Sequence, residues 1–430
     1  MDIIAQYTRK RAGLLMGLAL FAFSFSGCER DFTNPNAPSI DDVPIQSLVT
    51  GAEAGMRKDL AIYLRVVAGL AREAYYFEPA DPRYTGELLQ GTPDPGGFLL
   101  LNPWGSRYRV VANCNILLDR AAGLTGEAKA GVEGFAKTIL AYQLLLNLNL
   151  TDVNGIKLDF SGDLDAPIAT KSDALAAIAQ YLDDANTSLG AAGSSFPFSL
   201  TSGFAGFDTP AGFAMFNRGL RARVAVYQGD YATALSALAA SFLNTGGDLN
   251  AGVYHIYGSG LADQLNEIYE PADAPFVKFM AHPNFGTDAE AGDTRLTAKT
   301  ETRADEPFDG LTSNLAVTLT TSSTDPIPIM RNEELILLSA EAKIGTGDYS
   351  GAQADMNVVR ADAGLSAYTG TSATNAEDRL LYEKRYSLFG EGHRWVDLRR
   401  YDRLGDLPID RPGRDVIIDR MPIPETEVGG

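Results

Sequence analysis

Residues 340–352 read AEAKIGTGDYSGA, and residues 222–234 read ARVAVYQGDYATA. In both segments Gly-Asp-Tyr begins seven residues after an alanine, and another alanine follows three residues after the tyrosine. A glycine can end a helix in the left-handed conformation, and an aspartate can cap the helix that follows. The repeat therefore predicts two helix hairpins whose turns are Gly229, Asp230 and Tyr231 in the first copy and Gly347, Asp348 and Tyr349 in the second.

Helical periodicity extends to both sides of these turns. Apolar residues recur at helical spacing over residues 56–74, 111–122, 132–146, 175–189 and 216–227, and further helices are predicted at about 331–345, at 350–362 and from about 375. Residues 190–212 and most of 246–330 lack this period, although Tyr254 and Ile256, and then Leu315, Val317 and Leu319, alternate as in strands. We therefore predict a mainly helical, all-α fold in which tetratricopeptide-like hairpins form a superhelical scaffold with long irregular loops and minor β structure.

The first 27 residues have the composition of an export signal. Arg9, Lys10 and Arg11 precede an apolar stretch at 12–25, and the small residues Ser26 and Gly27 follow it. Cys28 comes next, which indicates a lipoprotein whose thiol is acylated and whose chain is anchored in a bilayer through that residue. The alternative is an ordinary secretory signal with a chance cysteine. Residues 28–46 contain three prolines and are predicted to be an extended tether, leaving 47–430 as a single domain.

Composition excludes some classes of partner. The chain has 55 acidic residues against 36 basic ones and a formal net charge of −19. Nucleic-acid binding needs clustered cations, so we expect no nucleic-acid partner. Cys114 is the only other cysteine and cannot form an internal disulfide once Cys28 is acylated. Its apolar neighbours predict a buried side chain.

No catalytic or metal-binding pattern stands out in the sequence. The three histidines, His255, His282 and His393, lack metal-ligand spacing. Asp152, Asn154 and Asp159 offer oxygen ligands, but their spacing differs from that of a calcium loop and favours a polar turn. We therefore predict no catalytic residue, no metal and no cofactor.

Sugar binding needs an aromatic face and hydrogen-bonding side chains close to it. The stretch from 75 to 109 is rich in both, so it is the candidate ligand surface, with ordinary packing as the alternative. Its candidate residues are Tyr75, Tyr76, Tyr84, Trp104, Arg107 and Tyr108. The phenylalanine-rich loop at 196–213 is an alternative contact surface for a transporter.

Three segments near the C-terminus resemble one protein family. A Glu-Ala helix is followed by Asn-x-x-Arg and Gly-Leu, at Glu341, Ala342, Asn357, Arg360, Gly364 and Leu365. A helix that ends in Glu-Gly-x-Arg-Trp-x-Asp-Leu is expected next, with the motif at 391–398, and Pro-Ile-Pro-x-x-Glu follows at 422–427. With the lipoprotein-like N-terminus, these segments resemble the SusD/RagB family of nutrient-binding lipoproteins, most specifically over about 270–430. Lys384, Ser387 and Gly390 depart from the residues common in that family.

The resemblance implies a non-enzymatic protein of the outer membrane, facing the exterior. Such a protein binds an oligosaccharide or polysaccharide and delivers it to a TonB-dependent SusC-like transporter. It also implies that Glu391, Arg394, Trp395 and Asp397 are structural, and we expect the charged three to form buried pairs with one another. The alternatives are a peptide-binding member of the same family, an envelope assembly scaffold of tetratricopeptide type, and a surface hydrolase.

Overall fold

The computed structural model describes residues 43–160, 163, 165–261, 263–370 and 372–427. The predicted signal peptide, Cys28 and nearly all of the tether therefore lie outside the described residues. Residues Pro44–Gly430 cluster as one compact unit. Among the helices described, none has the length and apolar character needed to cross a bilayer.

Helices form most of the molecule and pack largely on their neighbours in sequence. The N-terminal half contains α1 (Ile45–Arg57), α2 (Leu60–Leu70), α3 (Arg83–Gln90), α4 (Phe98–Ala122), α5 (Gly126–Thr151), α6 (Lys171–Gly190), α7 (Pro210–Gln228) and α8 (Tyr231–Ala239). The C-terminal half contains α9 (Pro283–Thr287), α10 (Thr294–Lys299), α11 (Asn332–Gly345), α12 (Tyr349–Asp362), α13 (Ala373–Ser387) and α14 (Arg394–Arg400). Helices α4 to α8 pack each on the next, and α11 packs on α8, α12 and α13. The predicted helical fold is confirmed.

Most of the strands lie in the part of the chain that lacks helical periodicity. The strands are β1 (Ala74–Tyr76), β2 (Ile156–Lys157), β3 (Ile168–Ala169), β4 (Gly252–His255), β5 (Phe279–Ala281), β6 (Thr300–Phe308), β7 (Leu311–Val317) and β8 (Ile327–Arg331). They form one antiparallel sheet of order β1-β5-β7-β6 and two antiparallel pairs, β2–β3 and β4–β8. The long strand β6 carries no apolar alternation, and for that reason the sequence did not predict it.

The two Gly-Asp-Tyr turns have the same geometry. Gly229 and Gly347 adopt the left-handed conformation, at φ 73° and 83°. Asp230 caps α8 by accepting from the N–H of Thr233, and Asp348 caps α12 by accepting from the N–H of Gly351. The first hairpin, α7–α8, stacks on the second, α11–α12, through α8 and α11. A Cβ on Gly345 would lie 2.1 Å from the ring of Tyr231, so a small residue lets these two helices approach.

The apolar stripe at 56–74 does not form one helix, as its period predicted. The apolar residues that recur at helical spacing are all buried: Met56, Leu60, Tyr63, Val67, Leu70 and Ala74. The chain nevertheless breaks at Lys58 and Asp59, where Asp59 has φ 55°. The guanidinium of Arg107 donates to the carbonyls of Met56 and Lys58, and Ser106 donates to the Asp59 carboxylate. These contacts from α4 satisfy the carbonyls that a continuous helix would have used.

A second correction concerns the segment at 391–398. The sequence placed Glu-Gly-x-Arg-Trp-x-Asp-Leu at the end of a helix. In the structure α13 ends at Ser387, and a turn follows in which Gly390 and Gly392 have φ 75° and 87°. Arg394 then begins the separate helix α14. Two residues in the left-handed region cannot continue a helix, so the motif makes a corner.

Buried charges hold α13 and α14 against α11. The Lys384 ammonium lies 2.9 Å from Glu341 and 2.7 Å from Asp397, and Arg400 also pairs with both carboxylates. Replacing Lys384 by methionine would leave two buried carboxylates sharing one cation. We expect this change to lower the free energy of unfolding by about 3 kcal/mol, as measured by denaturant titration.

The matched control is Lys129→Met, which removes an exposed pair with Glu133 at 3.8 Å on α5. Exposed pairs of this kind contribute little, so this variant should lose less than about 0.5 kcal/mol. Equal losses in the two variants would show that burial does not determine how much the Lys384 ion pairs contribute to the free energy of unfolding.

Candidate functional site

A cleft opens where β4, α10 and the start of α11 meet the turn at Gly390. Its volume is about 360 Å³. The residues that line it come from distant parts of the sequence and include Leu64, Tyr254, Lys299, Leu319, Arg331 and Glu391. The cleft combines apolar and polar groups in one concave surface, so it is the candidate ligand site.

Arg331 and its two carboxylates form the floor of the cleft. The Nη2 atom of Arg331 lies 2.7 Å from an oxygen of Glu391, and its Nη1 atom pairs with Glu333. Although burial opposes a charged guanidinium, these carboxylates raise the pKa of Arg331 above its ordinary value. The Arg331 charge in turn keeps the pKa of Glu333 below its usual range, despite burial. The floor is therefore a fixed, neutralised cluster of charges.

Lys299 adds a second cation at the floor. Its ammonium donates to the carbonyl of Ser387, which also accepts from Arg331. Burial, and then the adjacent Arg331, lower the pKa of Lys299 to about 8. The Ser387 carbonyl thus holds both cations at the end of α13.

The walls of the cleft are apolar and aromatic. Strand β4 alternates, so Val253 and His255 point into the core and Tyr254 points into the cleft. The Tyr254 hydroxyl donates to the carbonyl of Asn250, which fixes the half-buried ring in place. Asn250, Thr294 and Asp362 supply polar side chains around the rim.

An open groove continues from the cleft across α10 to the edge of the main sheet. Its volume is about 810 Å³, and it shares Ala298 and Thr320 with the cleft. Threonines dominate its surface, together with three carboxylates: the lining includes Thr297, Thr302, Thr318, Glu270, Asp273 and Glu301. This surface is called the threonine groove below.

A small enclosed cavity of about 30 Å³ lies behind the cleft. Tyr63, Tyr227 and His255 line it, beside the buried pair of Arg223 and Glu334, whose Nε and Oε1 atoms are 2.7 Å apart. The hydroxyl of Tyr63 and the Nε2 atom of His255 have no hydrogen-bond partner among the described residues. A polar cavity of this size holds about one water molecule.

The aromatic stretch predicted as the ligand surface lies in the interior. Tyr75, Tyr76 and Tyr84 are 3%, 9% and 6% exposed. Tyr75 stacks on Phe77 at 5.4 Å between ring centroids, and Tyr76 meets Tyr84 edge-on at 4.7 Å. These rings form the packing between α3 and the main sheet, so they offer a ligand no open face in this structure.

Trp104, Arg107 and Tyr108 also make internal contacts. Trp104 is 2% exposed and donates from Nε1 to Glu427 at 3.1 Å, which docks the C-terminal segment on α4. Arg107 is fully buried and binds the carbonyls at the end of α1. Tyr108 is half-buried and donates to the carbonyl of Lys157 at 2.8 Å. The alternative of ordinary packing therefore describes this stretch.

The phenylalanine-rich loop is turned inward as well. Phe196, Phe198, Phe204, Phe207 and Phe213 are each less than 10% exposed. Four of them pack on one another and on Phe135 of α5, and Phe207 packs on Phe242. These rings thus build core rather than an exposed contact surface.

The C-terminal motif makes pairs, but not the mutual pairs that we expected. Glu391 pairs with Arg331, and Asp397 pairs with Lys384 and Arg400. Arg394 is half-buried, and its Nε atom has no hydrogen-bond partner among the described residues. Trp395 is fully buried and donates to the carbonyl of Ile418 at 3.0 Å. The motif therefore ties α14 to β8, α13 and the C-terminal segment.

The other residues considered for chemistry have structural partners. Asp152 pairs with Lys171 at 2.6 Å and with Arg399 at 3.1 Å, so its charge is already compensated. Cys114 is buried, and burial raises the pKa of its thiol. Within the described ranges, no group of three or more histidine, cysteine, aspartate or glutamate residues has the geometry of a metal site.

Comparison with known proteins agrees with this architecture. A profile of the SusD family matches residues 312–422, which contain β8, the floor arginine and the turn at Gly390. A SusD superfamily protein from Bacteroides vulgatus aligns with a TM-score of 0.67 at 16% identity, covering 89% of this chain and 95% of its own. Among curated proteins, none matches the sequence.

In residues 312–422, about a quarter of its length, the chain resembles the SusD family. Its fold is also similar to that of NanU from B. fragilis, with a TM-score of 0.61 at 17% identity and coverage of 85% and 91% of the two chains. A laminarin-binding SusD-like protein aligns with a TM-score of 0.60 at 20% identity, covering 88% of this chain and 96% of its own. At these identities the structural matches establish the fold. The family resemblance in the C-terminal motifs is confirmed.

The sequence contained partial signals for the cleft. The alternation around Tyr254 was visible, as were Glu391 and the helix that begins after Arg331. No pattern in the sequence brought them together, because the cleft joins positions up to about 330 residues apart.

The buried His255 should make the protein less stable in acid. Burial, and then the charge of Arg107, lower its pKa to about 3. An unfolded histidine takes up a proton near pH 6.5, so the unfolded state binds more protons between pH 6.5 and 3, and stability falls as the pH falls through that range. Between pH 7 and 5, wild type should lose about 2 kcal/mol more unfolding free energy than His255→Gln. Denaturant titrations at both pH values measure this difference, and parallel losses would contradict a neutral buried imidazole.

Proposed function

We propose that this protein binds a glycan in the cleft and delivers it to a TonB-dependent SusC-like transporter of the outer membrane. The observation that carries the proposal is the cleft itself, in which a fixed tyrosine face and hydrogen-bonding groups surround an open volume of about 360 Å³. A lipid anchor at Cys28, outside the described residues, would hold the protein at the cell exterior.

The composition of the cleft suits a sugar ring. A pyranose has apolar C–H faces and a rim of hydroxyl groups, each of which can donate and accept. The Tyr254 ring and the side chains of Leu64 and Leu319 offer apolar contact, while Asn250, Thr294 and Asp362 offer donors and acceptors. Because Tyr254 is held by its bond to Asn250, little freedom is lost when a ring stacks on it.

Solved structures of the same fold support a carbohydrate ligand. One of them is a laminarin-binding SusD-like protein, and another is a SusD-like carbohydrate-binding protein from Bacteroides vulgatus, with a TM-score of 0.62 at 16% identity. A peptide ligand or a pure assembly role would not require a cleft of this composition.

We also propose that the bound glycan is not hydrolysed. A glycosidase needs one carboxyl group whose pKa is raised so that it can act as an acid. The carboxylates at the floor, Glu333 and Glu391, are both held by Arg331, and the pKa of Glu333 is lowered rather than raised. This pairing favours a binding role over a surface hydrolase.

Tyr254→Ala tests the proposed site. The soluble part, residues 29–430, would be screened against oligosaccharides by calorimetry, and the best ligand would be titrated into the variant. Loss of the aromatic face should weaken binding about two- to tenfold, because one stacked ring contributes about 0.5–1.5 kcal/mol. No release of reducing ends should be detected with any ligand.

Tyr181→Ala is the control, because Tyr181 is a half-buried tyrosine on α6, far along the chain from every residue of the cleft. It should bind with wild-type affinity. Equal affinity of wild type and Tyr254→Ala for the ligand would place the binding site elsewhere, and measurable hydrolysis would reject the non-enzymatic role.

A further inference from the structure

The charges along the cleft and the threonine groove restrict the class of glycan. We infer that the ligand is an uncharged oligosaccharide that extends from the cleft into the threonine groove. This inference rests on the proposed function and adds to it the charge of the ligand and a second binding region.

The cations of the cleft are already engaged. Arg331 directs its donors to Glu333, Glu391 and the Ser387 carbonyl. Arg295 pairs with Asp293 and Glu383 at 2.7 Å each. An anionic sugar would have to displace one of these buried carboxylates, which costs more than an exposed ion pair returns.

Lys299 is the remaining cation that lines the described cleft. Its ammonium donates to the Ser387 carbonyl, and burial and the adjacent Arg331 lower its pKa to about 8. Arg331 lies beside it and is paired with two carboxylates. An anion that approaches Lys299 would be repelled by these carboxylates. Lys299 therefore holds the end of α13 and does not provide a docking charge.

The charges of the threonine groove disfavour an anionic ligand. The charged residues among its described lining are all acidic: Glu270, Asp273 and Glu301. The Glu270 carboxylate also accepts from the backbone N–H groups of Lys278 and Phe279, at 2.8 and 3.0 Å, which fixes its position at the rim. The formal charge of −19 on the whole chain adds a weaker, screened repulsion of anionic polymers.

Threonines suit an uncharged sugar chain. Each side chain presents a hydroxyl that donates and accepts, next to a methyl group. Thr297 on α10, Thr302 on β6 and Thr318 after β7 bring these groups to one surface from three elements. The shared residues Ala298 and Thr320 make this surface continuous with the cleft, so a chain that stacks on Tyr254 can continue along the groove.

A glycan array that contains neutral and uronate- or sulfate-bearing oligosaccharides of several lengths tests the inference with wild type and Tyr254→Ala. We expect the signals lost in Tyr254→Ala to come from neutral oligosaccharides and to rise with chain length. Acidic ligands lost in Tyr254→Ala would overturn the inference and leave the proposed function standing. Signals that do not depend on Tyr254, or no signals, would instead reject the proposed site.

A pair of charge variants on one strand tests the groove directly. Glu301 lines the groove, whereas Asp305, exposed on the same strand β6, does not. Glu301→Gln should raise the affinity for an acidic oligosaccharide, such as oligogalacturonate, about two- to fivefold and should change the affinity for the neutral ligand less than twofold. Asp305→Asn should change neither. A neutral ligand whose affinity falls sharply with added salt, or equal effects of the two variants on the acidic ligand, would contradict the extended uncharged ligand.

Discussion

Helix α11 is buried on all sides from Asn332 to Ala342, yet it carries three glutamates. Each of them is neutralised by a cation from another element: Glu333 by Arg331 of β8, Glu334 by Arg223 of α7, and Glu341 by Lys384 of α13 and Arg400 of α14. A buried carboxylate without a partner would cost several kcal/mol, so these elements have to reach α11 with their cations in place. This requirement sets the arrangement of the C-terminal half.

The same requirement builds the candidate site. Arg331 reaches Glu391 only when the chain turns back after α13, and the left-handed Gly390 and Gly392 make that turn. The Ser387 carbonyl, freed at the end of α13, then accepts from Arg331 and Lys299. The floor of the cleft thus follows from charge compensation around α11.

The helices were predictable where the residues that determine them lie within the helix or at its ends. The periods at 132–146 and 175–189 lie within α5 and α6, and the Gly-Asp-Tyr repeat gave both hairpin turns. The break at Lys58 and Asp59 was not predictable, because its cause is Arg107, about 50 residues away. Strand β6 was missed since it pairs with β7 at the edge of the sheet and keeps mostly polar residues.

The candidate site was harder to predict than the fold for a related reason. Aromatic density pointed to residues 75–109, but density alone does not distinguish a binding face from a packed cluster, and there the rings pack. The cleft has one prominent aromatic side chain, Tyr254, in a segment of weak pattern. Its other members become neighbours only after β4 pairs with β8 and the turn at Gly390 closes.

A floor made of satisfied ion pairs has a consequence for how tightly a ligand can bind. Because the donors of Arg331 are already used, a sugar in the cleft gains ring contact and a few hydroxyl hydrogen bonds, each of which is modest in water. Further affinity has to come from additional sugar units along the threonine groove, where each new contact is made by a ligand that is already held. Binding distributed in this way can be lost one unit at a time, so a bound chain can dissociate without breaking the buried charges that maintain the fold.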